Sequence, residues 1–330
     1  MIEFRSFCNT DPPGIVQVWN ECFTNRGAYR LRASTLLELC VFSKPYFKDE
    51  GLILACEDGK TVGFVHAGFG PNGAETALST ESGIICALAV RPSHRRQKIG
   101  SQLLQRAEDY LKKAGSRDIL FGGMSPLNPF YFGLYGGSDG PGILASDADA
   151  APFLAHHGYQ PCSTRLVLQR QLEGYQPIVD TRFVPMRRRY DTQLMAQPEV
   201  GSWWQACVMG SFEPVEFRLV DKLTSIPAAR VLVWEMSSAR QPGPLIAGLL
   251  DVHVRPDMRR QGMAKMLVNQ TLRYVQENSF KLAEVQIPEE NRAGHDLFKS
   301  LGFELVDTGY AYRRPTPLED EPTAPAPSTP

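Results

Sequence analysis

A short basic segment in the last third of the chain has the residue types of a phosphate-binding loop. Arg259 and Arg260 precede Gly262, and an apolar pattern with helical spacing begins directly afterwards. The first turn of a helix leaves backbone N–H groups without intrahelical partners, and the helix dipole places partial positive charge at that end. Gly262 can adopt backbone angles that other residues avoid, and the small Ala264 leaves room for a bulky pyrophosphate. The segment therefore predicts a site for a phosphate-bearing ligand.

The same segment occurs twice in the chain. Residues 90–100, VRPSHRRQKIG, are echoed by residues 254–264, VRPDMRRQGMA, and the offset stays constant through the apolar positions that follow. An apolar run that is typical of a strand precedes each copy, at residues 84–90 and 245–254. A duplicated unit of strand, basic loop and helix indicates two copies of one fold.

A second motif follows each predicted helix. Residues 147–159, DADAAPFLAHHGY, resemble residues 291–303, NRAGHDLFKSLGF, but at a smaller offset, so the first copy carries an insertion. We place it at residues 126–142, because that segment is rich in Gly, Pro and aromatic residues, which do not continue a helix or a central strand. Such an insertion is either a substrate lid or a packed connection, and we favour the lid.

Composition narrows the class of protein. The chain of 330 residues exceeds one ordinary domain, and its 35 basic and 36 acidic residues are balanced, so no nucleic acid partner is expected. No signal peptide and no apolar run of membrane-spanning length is found, which predicts a cytoplasmic protein with no membrane partner. The seven cysteines lack a CxxC pair, which argues against disulfides and against a zinc site, so no metal is predicted.

The repeats suggest how the chain is divided. We expect an N-terminal domain over residues 1–172 that contains the insertion, a linker over residues 173–181, and a C-terminal domain over residues 182–314. Residues 182–184 have strand character. Residues 315–330 contain almost no large apolar side chain, which predicts a disordered tail.

At the level of motifs, the chain resembles the GCN5-related N-acetyltransferase (GNAT) superfamily. The pattern VxPxxRxxGxA at residues 254–264 is similar to motif A of that superfamily, and Asn followed by LFxxxGF within residues 291–303 is similar to motif B. The resemblance covers roughly residues 45–170 and 215–314, in a tandem arrangement similar to that of mycothiol synthases. It implies an α/β (α+β) fold with two tandem GNAT domains, each a mixed, mainly antiparallel sheet that splays at its fourth strand and is flanked by helices.

The resemblance also implies a cofactor, acetyl-CoA or another short acyl-CoA. Its pyrophosphate would be bound at each loop, and its pantetheine arm would lie along the edge of each fourth strand. The residues assigned to this role are Leu88, Val90, Arg95, Arg96, Gln97, Lys98, Ile99, Gly100 and Ser101 in the first copy, and Val252, Val254, Arg259, Arg260, Gln261, Gly262, Met263, Ala264, Lys265, Asn291 and Phe298 in the second. Lys98 replaces the usual glycine, so any need for a positive φ would strain the first loop.

Direct transfer is the chemistry that the resemblance implies, so the enzyme must take a proton from the attacking amine. Asp251 on the fourth strand of the second copy is our candidate base, and the first copy has Ala87 instead. The alternative role of Asp251 is structural, as a cap or hydrogen-bond partner of neighbouring backbone. His253 is a lower-ranked relay, on the same face as Asp251 if the strand is regular.

The leaving thiolate presents a second question, because the tyrosine that usually protonates it is missing. Leu154 and Phe298 occupy its positions, and neither side chain can donate a proton. Either the thiolate leaves unassisted or another tyrosine serves. The tyrosines considered for this role are Tyr131, Tyr135, Tyr310 and Tyr312.

These features predict an acyl-CoA-dependent N-acyltransferase, with acetyl as the favoured acyl group and the C-terminal copy as the catalytic one. The alternative is a non-catalytic acyl-CoA-binding or sensory protein of the same fold. In a third arrangement, the first copy and its insertion form the acceptor pocket of the second. The acceptor is a primary amine of a small molecule, a peptide or protein N-terminus, or a lysine, and the chain is a monomer or a homodimer.

Overall fold

The computed structural model of the chain describes residues 1–236 and 243–315, so the predicted tail lies outside the described residues apart from Pro315. The strands are β1 Ile2–Ser6, β2 Leu52–Glu57, β3 Lys60–Pro71, β4 Leu78–Val90, β5 Asp118–Phe121, β6 Ile143–Leu144, β7 Gln160–Gln171, β8 Tyr190–Ala196, β9 Val215–Asp221, β10 Pro227–Glu235, β11 Leu245–Val254, β12 Phe280–Pro288 and β13 Glu304–Arg313. The helices are α1 Pro12–Cys22, α2 Thr35–Leu37, α3 Ile99–Lys113, α4 Ala150–His156, α5 Phe183–Arg189, α6 Trp203–Met209, α7 Met263–Glu277 and α8 Arg292–Ser300. Shorter helical turns are Glu38–Phe42, Asp49–Gly51, Pro92–His94 and Pro256–Met258.

All of these strands belong to one continuous sheet. Their order across it is β1-β2-β3-β4-β5-β13-β7-β12-β11-β10-β9-β8, with β6 paired to β13. The β4–β5 and β11–β12 pairs are parallel, and the other named strand pairs are antiparallel. The order is symmetric about the β13–β7 pair, so the sequence repeat is a structural repeat. The mixed, mainly antiparallel sheet that the sequence predicted is confirmed.

The last strand of each copy has crossed to the other copy. β7 follows α4 of the first copy but pairs with β12 of the second, from Arg165 opposite Pro288 to Gln171 opposite Leu282. β13 follows α8 of the second copy but pairs with the end of β5 in the first. Each half of the sheet is therefore completed by a strand from the other half.

Each copy opens where its fourth strand leaves its fifth. β4 pairs with β5 from Ser82 to Ile85, and no β5 pairing extends past Ile85. β11 likewise pairs with β12 as far as Leu249 and continues without it. The predicted splay at the fourth strand is thus confirmed in both copies, and it exposes a backbone edge for a ligand.

The insertion of the first copy belongs to a core that the two halves share. Phe130, Tyr131, Phe132 and Leu134 are buried there, together with Trp234 of β10 and other side chains of both halves. Phe132 packs against Trp234, with ring centroids 5.0 Å apart. The insertion is therefore a packed connection, and the lid that we favoured from its composition is not what the structure shows.

Residues 182–184 are not a strand, which corrects the sequence prediction. Arg182 is the N-cap of α5. Phe183 and Met186 are buried one helical turn apart in a second apolar core, formed mainly by side chains of β9 to β12 and α7. The three arginines 187–189 form the last turn, where cations complement the helix dipole. Among the described residues, no helix is both long and apolar enough to cross a membrane.

Candidate functional site

The two basic loops have the same backbone conformation. Lys98 precedes α3 with a φ of 65°, and Gly262 precedes α7 with a φ of 88°. Arg96 and Arg260, two residues earlier, are also left-handed, with φ values of 62° and 64°. Lys98 therefore carries the strain that the sequence anticipated, a cost of about 1–3 kcal/mol for a residue held in a sparsely populated region.

Both loops can present backbone donors to an anion. Ile99 and Met263, the first residues of α3 and α7, bury their side chains in the cores, which fixes the two helix starts. Their N–H groups lie in the first turn, where no carbonyl of the same helix can accept from them. Arg96, Lys98 and Arg260 are exposed cations beside those donors. A helix start with free N–H groups and nearby cations suits a phosphate, and phosphate binding in each copy stays a prediction.

A cavity of about 440 Å³ adjoins the first loop. It runs from the loop along the part of β4 that has left β5 and into the shared core. The predicted residues that line it are Leu88, Val90, Arg95, Arg96, Lys98, Gly100 and Ser101. The structure thus brings seven of the nine first-copy candidates to one cavity, and Gln97 and Ile99 are not part of its lining.

The inner end of this cavity is an aromatic chamber. It is lined by Trp19, Phe23, Phe130, Tyr131, Phe132 and Tyr135. Trp19 stacks on Tyr131 with centroids 5.3 Å apart, and its indole N–H donates to the Tyr29 carbonyl at 2.7 Å. Phe23 and Tyr135 are half-buried and the other four rings are buried. Ring contacts that join Trp19, Phe23, Tyr131 and Tyr135 hold these walls in place. The sequence did not predict the chamber, since its walls come from segments far apart in the chain.

Polar contacts hold the outer end of the cavity. Arg95 donates through Nε to the Val90 carbonyl at 3.1 Å and pairs with Asp149 at 2.6 Å. His157 at the end of α4 lies 3.1 Å from the Ser101 hydroxyl, and burial lowers its pKa. Among the described residues, no group of three or more His, Cys, Asp or Glu side chains is placed to hold a metal.

A buried histidine lies behind the aromatic chamber. His66 Nδ1 is 3.0 Å from the Tyr131 hydroxyl, and the His66 ring packs on Phe130 with centroids 4.2 Å apart. His66 is fully buried, and desolvation lowers its pKa to about 3. Burial also raises the pKa of Tyr131 well above its usual value. Sequence analysis missed His66, a single histidine in an apolar strand, and named Tyr131 only as one of four tyrosines.

The other three tyrosines are less free to act in the cavity. Tyr135 lines it, and its hydroxyl oxygen accepts the Leu144 N–H at 3.1 Å. Tyr310 and Tyr312 lie on β13, which pairs with β5 and β6, and they are not part of the cavity lining.

In the second copy, the candidate base lies on the surface. Asp251 is exposed and paired with Arg230 at 2.7 Å. The β10–β11 register shifts between Arg230 and Leu232, and Asp251 is left-handed with a φ of 46°, so the strand is irregular there. The condition that put His253 on the face of Asp251 is therefore not met, and His253, also exposed, pairs opposite Arg230 in the ladder. The catalytic roles of Asp251 and His253 stay predictions.

Other second-copy candidates have visible structural roles. Asn291 caps α8 by accepting the Gly294 N–H at 3.0 Å. Phe298 is buried against Phe303, with centroids 5.0 Å apart. Val252 and Val254 are half-buried beside the second core. Cofactor binding by these four residues stays a prediction. The same holds for the other loop residues of the second copy, Arg259, Gln261, Ala264 and Lys265.

The insertion also packs against the inner strands of the second copy. The Ser138 N–H donates to Glu284 on β12 at 2.7 Å, and Trp234 on β10 donates to the Ser138 carbonyl at 3.0 Å. Gln286 on β12 donates to the Gly136 carbonyl at 2.9 Å. The insertion of the first copy therefore packs on β10 and β12 of the second copy, which we call the inner side of that copy.

Known proteins share both the sequence pattern and the fold. The sequence model of the Acetyltransferase (GNAT) family matches residues 14–131 and 203–303, more than half of the chain. No curated protein matches the sequence significantly.

Among solved structures, a tandem GNAT protein from the clavulanic acid biosynthesis pathway is similar, with a TM-score of 0.68 and 17% identity over 95% of this chain and 98% of that one. The GCN5-related glucosamine N-acetyltransferase region of a fungal multi-domain β-N-acetylglucosaminidase has a TM-score of 0.68 and 15% identity, over 95% of this chain and 38% of that one. A GCN5-related N-acetyltransferase from Sphaerobacter thermophilus has a TM-score of 0.61 and 15% identity, over 95% and 96%. At these identities the likeness supports the fold.

Proposed function

The chain belongs to the Acetyltransferase (GNAT) family, and from that premise we propose that its N-terminal half transfers a short acyl group, acetyl first of all, from acyl-CoA to a primary amine of a small molecule. The observation that carries this proposal is the continuous cavity from the first basic loop, past the open edge of β4, to the aromatic chamber. A transferase of this kind needs a phosphate site and an enclosed reaction space in one channel.

The residues present fit an acyl-CoA. First-turn N–H groups of α3 with the cations Arg96 and Lys98 would hold the pyrophosphate, and the β4 edge at Leu88 and Val90 would hold the pantetheine arm. The acyl-CoA supplies an activated thioester. Because no β5 strand pairs with β4 beyond Ile85, backbone N–H groups on that side are available to stabilise negative charge.

The transfer needs no covalent enzyme intermediate. A neutral amine forms the C–N bond while the C–S bond breaks, the electron pair leaves with sulfur, and the proton lost by the amine balances the one gained by the thiol. The aromatic walls exclude water, which protects the thioester from hydrolysis. A chamber with aromatic walls, set inward of the loop, favours a small amine with an apolar body over a lysine on a folded protein.

We propose that the C-terminal half binds acyl-CoA without turnover or serves structurally. Its loop supports binding, whereas its inner side contains the insertion and Asp251 is paired with Arg230. This proposal differs from the sequence-based preference for the C-terminal copy as the catalytic one. The experiment described next distinguishes the two assignments.

The test uses the matched variants Arg96→Glu and Arg260→Glu, equivalent exposed positions that are both left-handed in the parent protein. Acetyl-CoA binding is measured by titration calorimetry, and thiol release is measured with tyramine, glucosamine and spermidine as probe amines. We expect Arg96→Glu to weaken acetyl-CoA binding at the first copy, and with it acyl transfer, by about 10- to 100-fold. The reason is that a charge-assisted contact to the pyrophosphate becomes repulsive. Loss of transfer in Arg260→Glu instead would favour the C-terminal copy. No binding to the wild-type chain would contradict the proposed function.

A further inference from the structure

We propose that Tyr131 is a catalytic residue of the N-terminal half and that His66 is its positioning residue: the His66 Nδ1–H holds the phenol oxygen, and the Tyr131 O–H donates into the cavity toward the negative charge that develops on the thioester. This inference rests on the proposed acyl transfer. It assigns to the first copy a polar group that neither motif of the repeat contains.

The pair lies where the reaction space opens. His66 on β3 is in register with Ala87 on β4, two residues beyond the last β4–β5 pair at Ile85. Ala87 and Tyr131 both line the cavity. The Tyr131 hydroxyl, bound to His66, is therefore at the level of the sheet at which β4 and β5 separate.

The surroundings of His66 favour one tautomer. Its Nε2 is buried and has no hydrogen-bond partner among the described residues. If Nε2 carried the proton, a buried N–H donor would be left unpaired, which is rare in proteins. If Nδ1 carries it, the imidazole donates to the Tyr131 oxygen, and the Tyr131 proton is free to point into the cavity. The second arrangement leaves the phenol as a donor aimed at the ligand space.

Both His66 and Tyr131 stay neutral during the proposed reaction. Burial keeps the pKa of His66 near 3 and that of Tyr131 well above its usual value, so neither an imidazolium nor a phenolate forms at neutral pH. Tyr131 therefore keeps its proton and acts as a hydrogen-bond donor to developing charge, as preorganised donors in dry sites do. The proton balance of the transfer is unchanged, since Tyr131 gains and loses none.

The backbone of Tyr131 is itself unusual. Its φ is 66°, which is an outlier for a bulky residue. Its carbonyl accepts the N–H groups of Leu134 at 2.9 Å and Tyr135 at 3.0 Å, and its ring is held against Trp19. Such strain persists where surrounding contacts over-determine a conformation, and it concentrates at functional sites.

The second copy does not have this pair. Strand pairing places Leu232 on β10 at the position that corresponds to His66, and the insertion that contains Tyr131 is absent from the second repeat. The role therefore belongs to the N-terminal half alone.

The first test compares Tyr131→Phe with Tyr46→Phe in the full chain. Tyr46 is a matched control, because its buried hydroxyl donates to the Pro129 carbonyl at 2.8 Å, outside the cavity lining. We expect Tyr131→Phe to lower kcat by about 100-fold with the probe amine that the wild type accepts best, and to change acetyl-CoA affinity less than twofold. Tyr46→Phe should leave kcat within twofold. Unchanged kcat in Tyr131→Phe, with wild-type transfer intact, would overturn the role of Tyr131 alone. No transfer by the wild type would overturn the proposed function and this role with it.

The second test does not depend on turnover. In ¹⁵N-labelled protein near pH 7, His66 should be a neutral Nδ1–H tautomer, and Tyr131→Phe should shift the Nδ1 resonance. An Nε2–H tautomer would overturn the assigned direction of the hydrogen bond. His66→Leu should lower kcat by about 10-fold without raising KM, and His66→Asn, which keeps an N–H donor near Nδ1, should recover most of that loss. Equal loss in both variants would contradict a positioning role.

Discussion

At the scale of single residues, the two basic loops differ in the residue that directly precedes the helix. The left-handed position before the helix is Gly262 in the second copy and Lys98 in the first. A lysine there costs free energy, but Lys98 lines the cavity beside the start of α3, where we propose that a phosphate is bound. This left-handed lysine thus lies in the copy for which we propose acyl transfer.

Exchanging the residue types at these positions should change stability in opposite directions. Lys98→Gly relieves a left-handed cost of about 1–2 kcal/mol but loses roughly 0.5–1 kcal/mol to the greater freedom of unfolded glycine. We expect a net gain of about 0.5–1 kcal/mol in the free energy of unfolding for Lys98→Gly, and a loss of about 1 kcal/mol for Gly262→Ala, measured by urea denaturation. An added Cβ at Gly262 meets no atom closer than 3.8 Å, so the loss would report backbone strain. Lys98→Ala controls for charge and should be nearly neutral, and a gain in Gly262→Ala would contradict the argument.

At the scale of elements, the insertion is what distinguishes the two copies. It supplies four of the aromatic rings of the chamber and also packs on β10 and β12 of the other half. Glu284 on β12 is its main anchor, because this buried carboxylate accepts from the Ser138 N–H, from Arg26 at 2.6 Å and from Gln169 at 2.6 Å. The wall of the first cavity is therefore fixed by a strand of the second copy.

Neutralising that anchor should destabilise the molecule. In Glu284→Gln, the guanidinium of Arg26 loses its nearer carboxylate and keeps the more distant one of Asp307, at 4.0 Å. The new amide nitrogen of residue 284 would also face the N–H groups that now donate to Glu284. Breaking a buried pair costs roughly 3–5 kcal/mol, and the partial exposure of Arg26 reduces this to about 2–3 kcal/mol in the free energy of unfolding. Glu277→Gln removes an exposed carboxylate 2.8 Å from Arg273 and should cost less than about 0.5 kcal/mol. Equal effects in urea denaturation would mean that Glu284 does not anchor the insertion.

At the scale of the whole molecule, the sequence predicted what is local. The repeated motifs predicted both loops, the helices that start at Ile99 and Met263, and the fourth strands. Helical periodicity, strand periodicity and loop residue types can all be recognised within short segments of sequence. The pairing of His66 with Tyr131 joins segments 65 residues apart, and no periodicity links them. The preference for the second copy rested on Asp251 and Gly262, whereas the cavity depends on packing that only the folded chain reveals.

The exchange of β7 and β13 was also invisible in the sequence. Both strands are rich in polar residues, and the residue pattern of a strand does not state which neighbour it joins. Because β12 has β7 as a neighbour and β5 has β13, we expect that the two halves do not fold independently.

Residues 1–172 and 173–330 produced separately should therefore not fold as stable monomers. The first fragment would leave the β5 edge unpaired, and the second would leave β12 and β13 without the strand between them, which exposes edges prone to aggregation. Co-expression should restore a one-to-one complex, because every strand pair of the sheet can then form. Light scattering and thermal unfolding of each fragment and of the mixture would decide this. A cooperatively unfolding, monomeric second fragment that retains acyl transfer would contradict the prediction and would return catalysis to the C-terminal copy.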